Sequence, residues 1–265
     1  FPDLFGQRKS EEWTKRILRC ARSADAVICV SESTRKDLQG EHGLSADKIS
    51  VVPHGYSPAF RRLPAPPEGH ETPVPGRFLL YVGSRAEYKQ FWTLAKAYGA
   101  WAHRDEVELA VVGQSWSRDE AATIAELGIS ERVRLLENVD DETLCNLYNA
   151  AEAFVYPSLY EGFGIPLLEA MACGCPIVAS DIPTTHEVAG STPLYFQPGE
   201  VEGLSAALDT AMAEGRESQR TASGLERAKK YSWDKTAAMT MDVYRRVSQL
   251  ADEGRSLASV SNGGP

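Results

Sequence analysis

AFVYPSLYEGFGIPLLEAMACG, residues 153–174, is the stretch of this sequence that says most about its fold. Its first four residues are apolar or aromatic, as in a strand that is buried on both faces. A loop with glycines on both sides of Phe163 follows, and then a helix with Pro166 in its first turn and Gly174 just past its end. Because the apolar run 176–180 comes next, this order predicts a parallel unit of strand, helix and strand.

The alternation of strands and helices continues on both sides of this unit. Apolar runs predict strands at 26–30, 49–53, 78–83, 107–113 and 133–136. The intervening stretches predict helices at 8–23, 31–40, 90–102, 117–127, 141–151, 202–213, 219–230 and 233–250. Strands that alternate with helices at this spacing predict an α/β fold with a doubly wound parallel sheet.

Composition divides the chain into segments. Between His54 and Gly76, repeated prolines and glycines interrupt any regular element, which is typical of a linker. We therefore expect a first segment at residues 1–55, a Pro-rich linker at 56–76, a domain at 77–232, a helix at 233–250 and a frayed tail at 251–265. The sequence does not begin with Met, so we expect either a fragment or one chain of a divided protein.

The charge balance argues against nucleic acid as the main partner. The 265 residues carry 28 Lys and Arg against 37 Asp and Glu, a net charge of -9, whereas binding to a phosphate backbone usually needs a basic face. No apolar run reaches the roughly 18 residues of a membrane-spanning helix, and the N-terminus shows no export signal. The five cysteines are odd in number and lie mostly in apolar stretches, which favours a reduced, cytoplasmic setting.

The glycine loop before the predicted helix at 166–173 is a candidate anion site. Glycines let backbone amides approach a ligand closely, and the positive end of a helix favours an anion, so a phosphate could lie on residues 163–166. Glu161 and Glu169 would flank that phosphate, which makes sense if they accept hydrogen bonds from sugar hydroxyls. From the residues alone, an ordinary strand, loop and helix with two surface glutamates remains an equal alternative.

The same residues carry a family resemblance. Glu161 and Glu169 match the E-x7-E motif, and residues 157–180 as a whole resemble the retaining glycosyltransferases of family 4, which have the GT-B fold. The resemblance implies that Glu169 holds the ribose hydroxyls of a sugar nucleotide, and that Glu161 meets the donor sugar. It further implies that other donor-binding groups are Gly162, Phe163, Gly164, Ile165 and Pro166, with Val139 near the base. His186 to Gly190 resembles a structural turn of the family.

A second match follows the predicted strand at 78–83. In the family, this strand end carries an Arg and a Lys that bind the donor diphosphate, and Arg85 and Lys89 fit those roles beside Gly83. Two cations there can neutralise the charge that builds on a leaving diphosphate, without a metal. With Glu161, they are the expected catalytic residues. Their spacing is shorter than in the commonest form of the motif, and in isolation two solvated surface cations would explain them as well.

The resemblance also implies the domain roles. It predicts a GT-B fold with two Rossmann-like doubly wound domains, the N-terminal one only partly present. Residues 1–55 would be a remnant of the acceptor-side domain, whose front part would lie before Phe1. Residues 77–232 would bind the nucleotide sugar, and the helix 233–250 would cross back to the N-terminal domain.

The expected function is transfer of a hexose, with retention, from a nucleotide sugar to an acceptor hydroxyl in polysaccharide synthesis. The start FPDLF and the run GSRAEYK resemble bacterial polysaccharide mannosyltransferases, which favours GDP-mannose over a UDP-hexose as donor. No cofactor or metal is expected, since one C-x-C at Cys173 and Cys175 is a weak metal signal. The acceptor would be a sugar or a lipid-linked sugar, with peripheral association at the inner face of the membrane through the missing N-terminal part. The alternatives are a nucleotide-binding half-enzyme, a sugar-nucleotide epimerase and a phosphorylase of the same fold.

Overall fold

The structure is a computed structural model that describes residues 7–64 and 72–261, with side chains for 12–64 and 72–250. Residues 65–71 of the predicted linker therefore lie outside the described residues. The chain divides into two compact units. One consists of the chain up to Gly55 together with the chain from Ser232 onwards, and the other is Tyr56–Tyr231.

The N-terminal part of the first unit is a small parallel α/β element. It contains the helix α1 (Gln7–Ser23), the strand β1 (Val27–Cys29), the helix α2 (Glu32–Gly40) and the strand β2 (Ile49–Val51). The two strands pair in parallel, with Val27 opposite Ile49. Ser31 begins α2 as its N-cap, because its hydroxyl accepts a hydrogen bond from the Thr34 amide at 3.0 Å.

The second unit is built on one sheet of six parallel strands. These are β3 (Phe78–Val82), β4 (Glu108–Val112), β5 (Val133–Leu136), β6 (Ala153–Tyr156), β7 (Ile177–Ser180) and β8 (Leu194–Phe196). The helices between and after them are α3 (Phe91–Ala100), α4 (Arg118–Glu126), α5 (Asp141–Ala150), α6 (Ile165–Ala172), α7 (Pro183–Ala189), α8 (Val201–Glu214) and α9 (Gln219–Ala228).

The strand order places a crevice in the middle of this sheet. The order is β5-β4-β3-β6-β7-β8, so the chain leaves β3 to one side through β4 and β5 and then returns to β6 on the other side. At such a switch point the loops that follow the two central strands diverge, and ligands bind outside the carboxyl ends of the strands. The loops after β3 and β6 carry the two sequence motifs, which therefore meet at this edge.

Burial on both faces explains the apolar strands at the centre. Leu79, Leu80, Phe154 and Val155 are fully buried, and Leu80 lies opposite Phe154 in the register of β3 with β6. The helix α6 is also nearly enclosed, with Leu167, Leu168, Ala170, Met171 and Ala172 buried. The element that carries the glutamate motif is therefore fixed in the core of the unit.

The chain from Ser232 onwards returns to the first unit as the helix α10 (Trp233–Ser261). The Thr236 hydroxyl donates to the Pro53 carbonyl at 2.7 Å. Gly55 is packed so closely against the start of this helix that a Cβ atom there would lie 2.1 Å from the Trp233 backbone nitrogen. No helix within the described residues is both long and apolar enough to cross a membrane.

Most predicted elements are confirmed, and the structure adds to the expected elements in three places. The segment 186–190, expected to be a turn, begins inside the helix α7, and Gly190 is the C-cap of that helix. The strand β8 was missed, since it has only three residues. The last helix continues past residue 250 to Ser261, into the segment that was expected to be frayed. The signal for α7 was hidden because its buried positions include Thr184 and Thr185, whose polar side chains disrupt the apolar period.

Candidate functional site

An ion pair joins the two motif loops across the switch point. Lys89 ends a short 3-10 turn, Glu87–Lys89, after β3, and Glu161 lies in the loop after β6. The Lys89 Nζ and Glu161 Oε1 atoms are 2.7 Å apart, and the two side chains are only 20% and 10% exposed. The Leu159 amide also donates to the Tyr88 carbonyl at 2.8 Å. A backbone hydrogen bond and an ion pair therefore hold the two loops together.

The turn that presents Lys89 ends in an unusual backbone conformation. Gln90 has φ of 53°, in the left-handed region that favours glycine, and it is the residue before α3. Its side-chain amide donates to the Glu87 carbonyl at 3.0 Å, and its side-chain oxygen accepts from the Thr93 hydroxyl at 2.7 Å. These bonds hold a strained residue directly after the lysine, as is common where a fold positions a functional group.

Aromatic side chains surround the ion pair. The Lys89 Nζ atom lies 5.3 Å from the ring centre of Tyr88 and 5.8 Å from that of Tyr156, within reach of cation–π attraction. Burial, and then the charge of Glu161, hold the pKa of Tyr156 well above its usual range. On the other side, the Thr184 hydroxyl of α7 donates to the Glu161 backbone carbonyl at 2.8 Å. Glu161 is therefore held at both its backbone and its carboxylate.

The glycine loop forms a cradle at the start of α6. Gly164 is the N-cap with φ of 108°, and a Cβ there would lie 3.0 Å from Leu167 Cδ1 and 3.4 Å from the Tyr156 hydroxyl oxygen. The preceding Phe163 ring packs edge-on against Tyr231, with ring centres 5.9 Å apart. Gly162, Ile165 and Pro166 complete this loop, so the residues of the expected anion site lie at the positive end of a buried helix. Binding of an anion there stays a prediction.

Glu169 lies one turn inside α6 in a poorly hydrated position. Its Oε2 atom accepts a hydrogen bond from the Tyr148 hydroxyl of α5 at 3.1 Å. Burial raises the pKa of Glu169 to about 7, while the Tyr148 bond lowers it and the charge of Asp141 raises it further. A carboxyl held this way is ready to accept hydrogen bonds from ligand hydroxyls, which would favour its ionised form.

Arg85 lies on the side of β3 that faces β4. Its Nε atom is 2.7 Å from Glu120 Oε1, its Nη2 atom donates to the Ser115 carbonyl at 2.9 Å, and the guanidinium lies 4.3 Å from the Trp116 ring centre. The hydrogen bond from Arg85 lowers the pKa of Glu120 to about 2. The structure thus brings Lys89 and Glu161 together and ties Arg85 to the region after β4. The expected contact between Arg85 and a diphosphate stays a prediction.

The remaining predicted residues lie at neighbouring strand ends. Gly83 follows β3 with φ of 145°, and its amide donates to the Val112 carbonyl at 3.0 Å. A Cβ at Gly113 would lie only 2.8 Å from the Gly83 oxygen, so the two strand ends approach closely. Val139 is half-buried between β5 and α5, directly after Asn138, which has φ of 52°. Their contacts with a donor stay predictions.

Sequence reasoning missed four side chains that shape this site. Tyr148 lies on the buried face of α5, and its partner Glu169 is on another helix. Thr184 and Glu120 likewise act on residues far away along the chain, so a single sequence gives no signal for them. Tyr156 is close to Glu161 in the chain, but it ends an apolar strand, which is typical of a core residue. Within the described residues, no group of three or more His, Cys, Asp or Glu is placed to hold a metal ion. Cys173 instead packs against Cys145, with sulfur atoms 3.8 Å apart.

Comparison with known families agrees with this geometry. Residues 67–228 match the sequence profile of the family described as glycosyl transferases group 1. The chain belongs to this family. Residues 2–60 match a second profile, described as glycosyltransferase family 4. The predicted family membership is confirmed.

Among curated relatives of this glycosyltransferase, two mannosyltransferases stand out. It is 31% identical over 256 residues to the O-antigen chain mannosyltransferase B of Escherichia coli, covering 92% of this chain and 66% of that protein. It is 33% identical over 235 residues to the MMP alpha-(1->4)-mannosyltransferase of Mycolicibacterium hassiacum, covering 86% of this chain and 56% of that protein. The chain therefore spans about two thirds or less of the length of these relatives.

Solved structures confirm the fold. A sucrose-phosphate synthase from Thermosynechococcus elongatus aligns with a TM-score of 0.76 at 26% identity, over 88% of this chain and 61% of that one. HepE of Anabaena, described in complex with UDP and glucose, aligns with a TM-score of 0.74 at 21% identity, over 94% of this chain and 69% of that one. The glycosyltransferase has the GT-B fold, with a partial N-terminal domain.

Proposed function

We propose that this glycosyltransferase transfers a hexose, with mannose favoured, from a nucleoside-diphosphate sugar to an acceptor hydroxyl in polysaccharide synthesis, with retention at the anomeric carbon. The observation that carries the proposal is the convergence of a half-buried cation, a glycine loop at a helix N-terminus and two carboxylates at one edge of the sheet. Lys89 and Glu161 are 2.7 Å apart, and the Gly164 cradle and Glu169 lie on the helix that follows. These are the groups that a sugar nucleotide requires.

Each group has a part that follows from its chemistry. Lys89 neutralises the diphosphate together with the amides at the start of α6, which favours departure of the leaving group. Glu169 accepts hydrogen bonds from the ribose hydroxyls, and Glu161 does the same for the donor sugar. Arg85 would add a second cation only after it left Glu120 and Ser115, so Lys89 is the principal one.

The reaction needs no carboxylate or histidine as base. The bond between the anomeric carbon and the phosphate oxygen breaks, and a bond to the acceptor oxygen forms on the same face of the sugar. The acceptor proton passes to the departing phosphate oxygen, so charge and atoms balance without an enzymic base. No metal or cofactor takes part in this proposal, because the diphosphate charge meets Lys89 and the helix amides.

The choice of mannose rests on the named relatives. Both curated relatives described above are mannosyltransferases, at 31% and 33% identity. Thermal unfolding with GDP-mannose and with UDP-glucose tests the choice. We expect GDP-mannose to raise the unfolding temperature, and protection by UDP-glucose alone would reject it.

Two charge-removing variants test the site itself. Lys89→Met should weaken binding of GDP by roughly 2 kcal/mol, since it removes a charge-assisted contact to phosphate. Lys96→Met is the matched control, because Lys96 is exposed on α3 and away from the glycine cradle. Calorimetry measures both. Equal affinities for the two variants would contradict the role of Lys89.

We place the reaction in the cytoplasm, with peripheral association at the inner face of the membrane. The support is chemical: all five cysteines are free thiols, four of them buried, which fits a reducing compartment. Fractionation of cells that express the full-length protein tests the location.

The alternative candidate function is a half-enzyme, which would bind the nucleotide without turning it over. The chain spans 66% and 56% of the two mannosyltransferases. Incubation with GDP-mannose, followed by NMR of the sugar products, separates the two candidates. Free or transferred mannose supports the enzyme, and nucleotide binding without any product supports the half-enzyme.

A further inference from the structure

Three buried polar atoms that make no hydrogen bond of normal geometry mark the ligand edge of the second unit. Within its described residues these are Arg85 Nη1, the Tyr156 hydroxyl and Ser180 Oγ. Tyr156 and Ser180 are the last residues of β6 and β7, and Arg85 follows β3 closely. A buried polar group without a partner destabilises the folded protein, so its presence requires an explanation. For Tyr156 the surroundings supply one.

The Tyr156 hydroxyl lies beneath the glycine cradle and next to Glu161. The residue is 3% exposed, and its oxygen would be 3.4 Å from a Cβ atom at Gly164. Glu161 is the strongest charged influence on the pKa of this hydroxyl, and a weak hydrogen bond between the two groups raises that pKa further. Tyr156 is therefore covered by the loop and does not reach the ligand directly, but it adjoins the carboxylate that does.

The other groups around Glu161 are already engaged. Lys89 reaches it from the loop after β3, and Tyr88 lies beside Lys89. Tyr81 of β3 is also within its electrostatic influence, but the Tyr81 hydroxyl donates to the Ser84 carbonyl at 2.5 Å. Thr184 contacts the backbone carbonyl of Glu161 and not its carboxylate. Among the side chains around this carboxylate, the Tyr156 hydroxyl is the one that makes no hydrogen bond of normal geometry.

We propose that Tyr156 is a positioning residue that donates its hydroxyl hydrogen to Glu161 when a bound diphosphate draws Lys89 away. This inference rests on the proposed function, in which Lys89 serves the phosphates. Glu161 is only 10% exposed, and a buried carboxylate that loses its cation is strongly destabilised unless another donor replaces it. Tyr156 is that replacement. It keeps Glu161 ionised and oriented toward the donor sugar while Lys89 is occupied.

Calorimetric titration of Tyr156→Phe with GDP and with UDP tests this role. We expect the variant to bind the nucleotide roughly tenfold more weakly than the wild type, because Glu161 is left without a donor. We also expect it to take up about one proton more than the wild type on binding, measured in two buffers of different ionisation enthalpy. The unliganded variant should lose little in unfolding temperature, since the hydroxyl it loses makes no hydrogen bond of normal geometry there.

Two further variants separate positioning from packing. Tyr81→Phe also removes a buried hydroxyl, but one with a partner, so it should lower the unfolding temperature without extra proton uptake. In a Glu161→Gln background, Tyr156→Phe should cause no further loss of affinity or change in proton count. If the wild type binds a nucleotide and Tyr156→Phe matches it in affinity and proton count, the inference is overturned and the proposed function stands. If the wild type binds neither GDP nor UDP, both are overturned.

Discussion

Replacing Glu169 by Gln should make the unliganded protein more stable above neutral pH and, at the same time, weaken nucleotide binding. Burial raises the pKa of Glu169 from 4.5 to about 7. One pKa unit corresponds to about 1.4 kcal/mol. The folded protein is therefore roughly 3 kcal/mol less stable when Glu169 is ionised than when it is protonated. The glutamine cannot ionise, and its side-chain oxygen can still accept the hydrogen bond from Tyr148.

The sign follows from where each state loses its proton. The unfolded chain releases the Glu169 proton near pH 4.5, and the folded protein holds it until about pH 7. The stabilisation is therefore complete below pH 4.5 and is lost as the pH rises to about 7. Relative to Glu169→Gln, the wild type should lose up to roughly 3 kcal/mol between pH 4.5 and 8, which corresponds to an unfolding temperature lower by about 2–4 °C per kcal/mol.

Urea unfolding at pH 5 and pH 8, together with GDP titration, measures both effects. Nucleotide affinity of the wild type should rise from pH 6 to pH 8, because ribose hydroxyls favour the ionised carboxylate. The variant should lack this rise and bind GDP at pH 8 about 1–3 kcal/mol more weakly. Glu126→Gln is the control, since Glu126 is exposed on α4. Parallel pH profiles of unfolding for wild type and Glu169→Gln would refute the argument from burial.

Three further substitutions test the loops around the site. Gln90→Gly should stabilise the protein by roughly 1 kcal/mol in thermal unfolding, because it relieves a left-handed backbone at φ of 53°; a lower unfolding temperature would show that the two Gln90 side-chain bonds matter more. Gly164→Ala should cost about 1–3 kcal/mol and weaken GDP binding in calorimetry, because the backbone there is left-handed and the new Cβ would crowd Leu167. Arg85→Lys should lower the unfolding temperature by breaking the fork to Glu120, with little change in GDP affinity; a large affinity loss at unchanged stability would instead place Arg85 on the diphosphate.

The sequence was sufficient for the central strands of the sheet because they are buried on both faces. Runs such as residues 153–155 and 177–179 contain no polar residue, and a parallel sheet covered by helices is the structure that buries them completely. Where the buried side chains are polar, the apolar periodicity no longer predicts the helix. Thr185 of α7 is fully buried because its hydroxyl donates to the Ser180 carbonyl at 2.7 Å, and a single sequence does not reveal that bond.

The site was predictable as a set of residues but not as an arrangement. The glycine loop and both glutamates follow from local chemistry and from the resemblance, since they lie within one strand, loop and helix. The environment of Glu169 depends on Tyr148, which comes from another helix 21 positions away, and that of Glu161 depends on Lys89, 72 positions away. Burial and partner distance set the pKa of Glu169, and both arise only when the sheet is assembled.

The position of β3 between β4 and β6 places the two candidate cations on opposite sides. The loop after a central strand has one neighbour on each side, and three residues of this loop separate Arg85 from Lys89. Arg85 bonds to Glu120 on the β4 side, whereas Lys89 bonds to Glu161 on the β6 side. The glycine cradle and the start of α6 follow β6, so a diphosphate bound there lies on the side of Lys89. Sequence spacing proposes both cations, and the strand order supports the proposal that Lys89 binds the phosphate, because Arg85 is bonded to Glu120 and to the loop that follows β4.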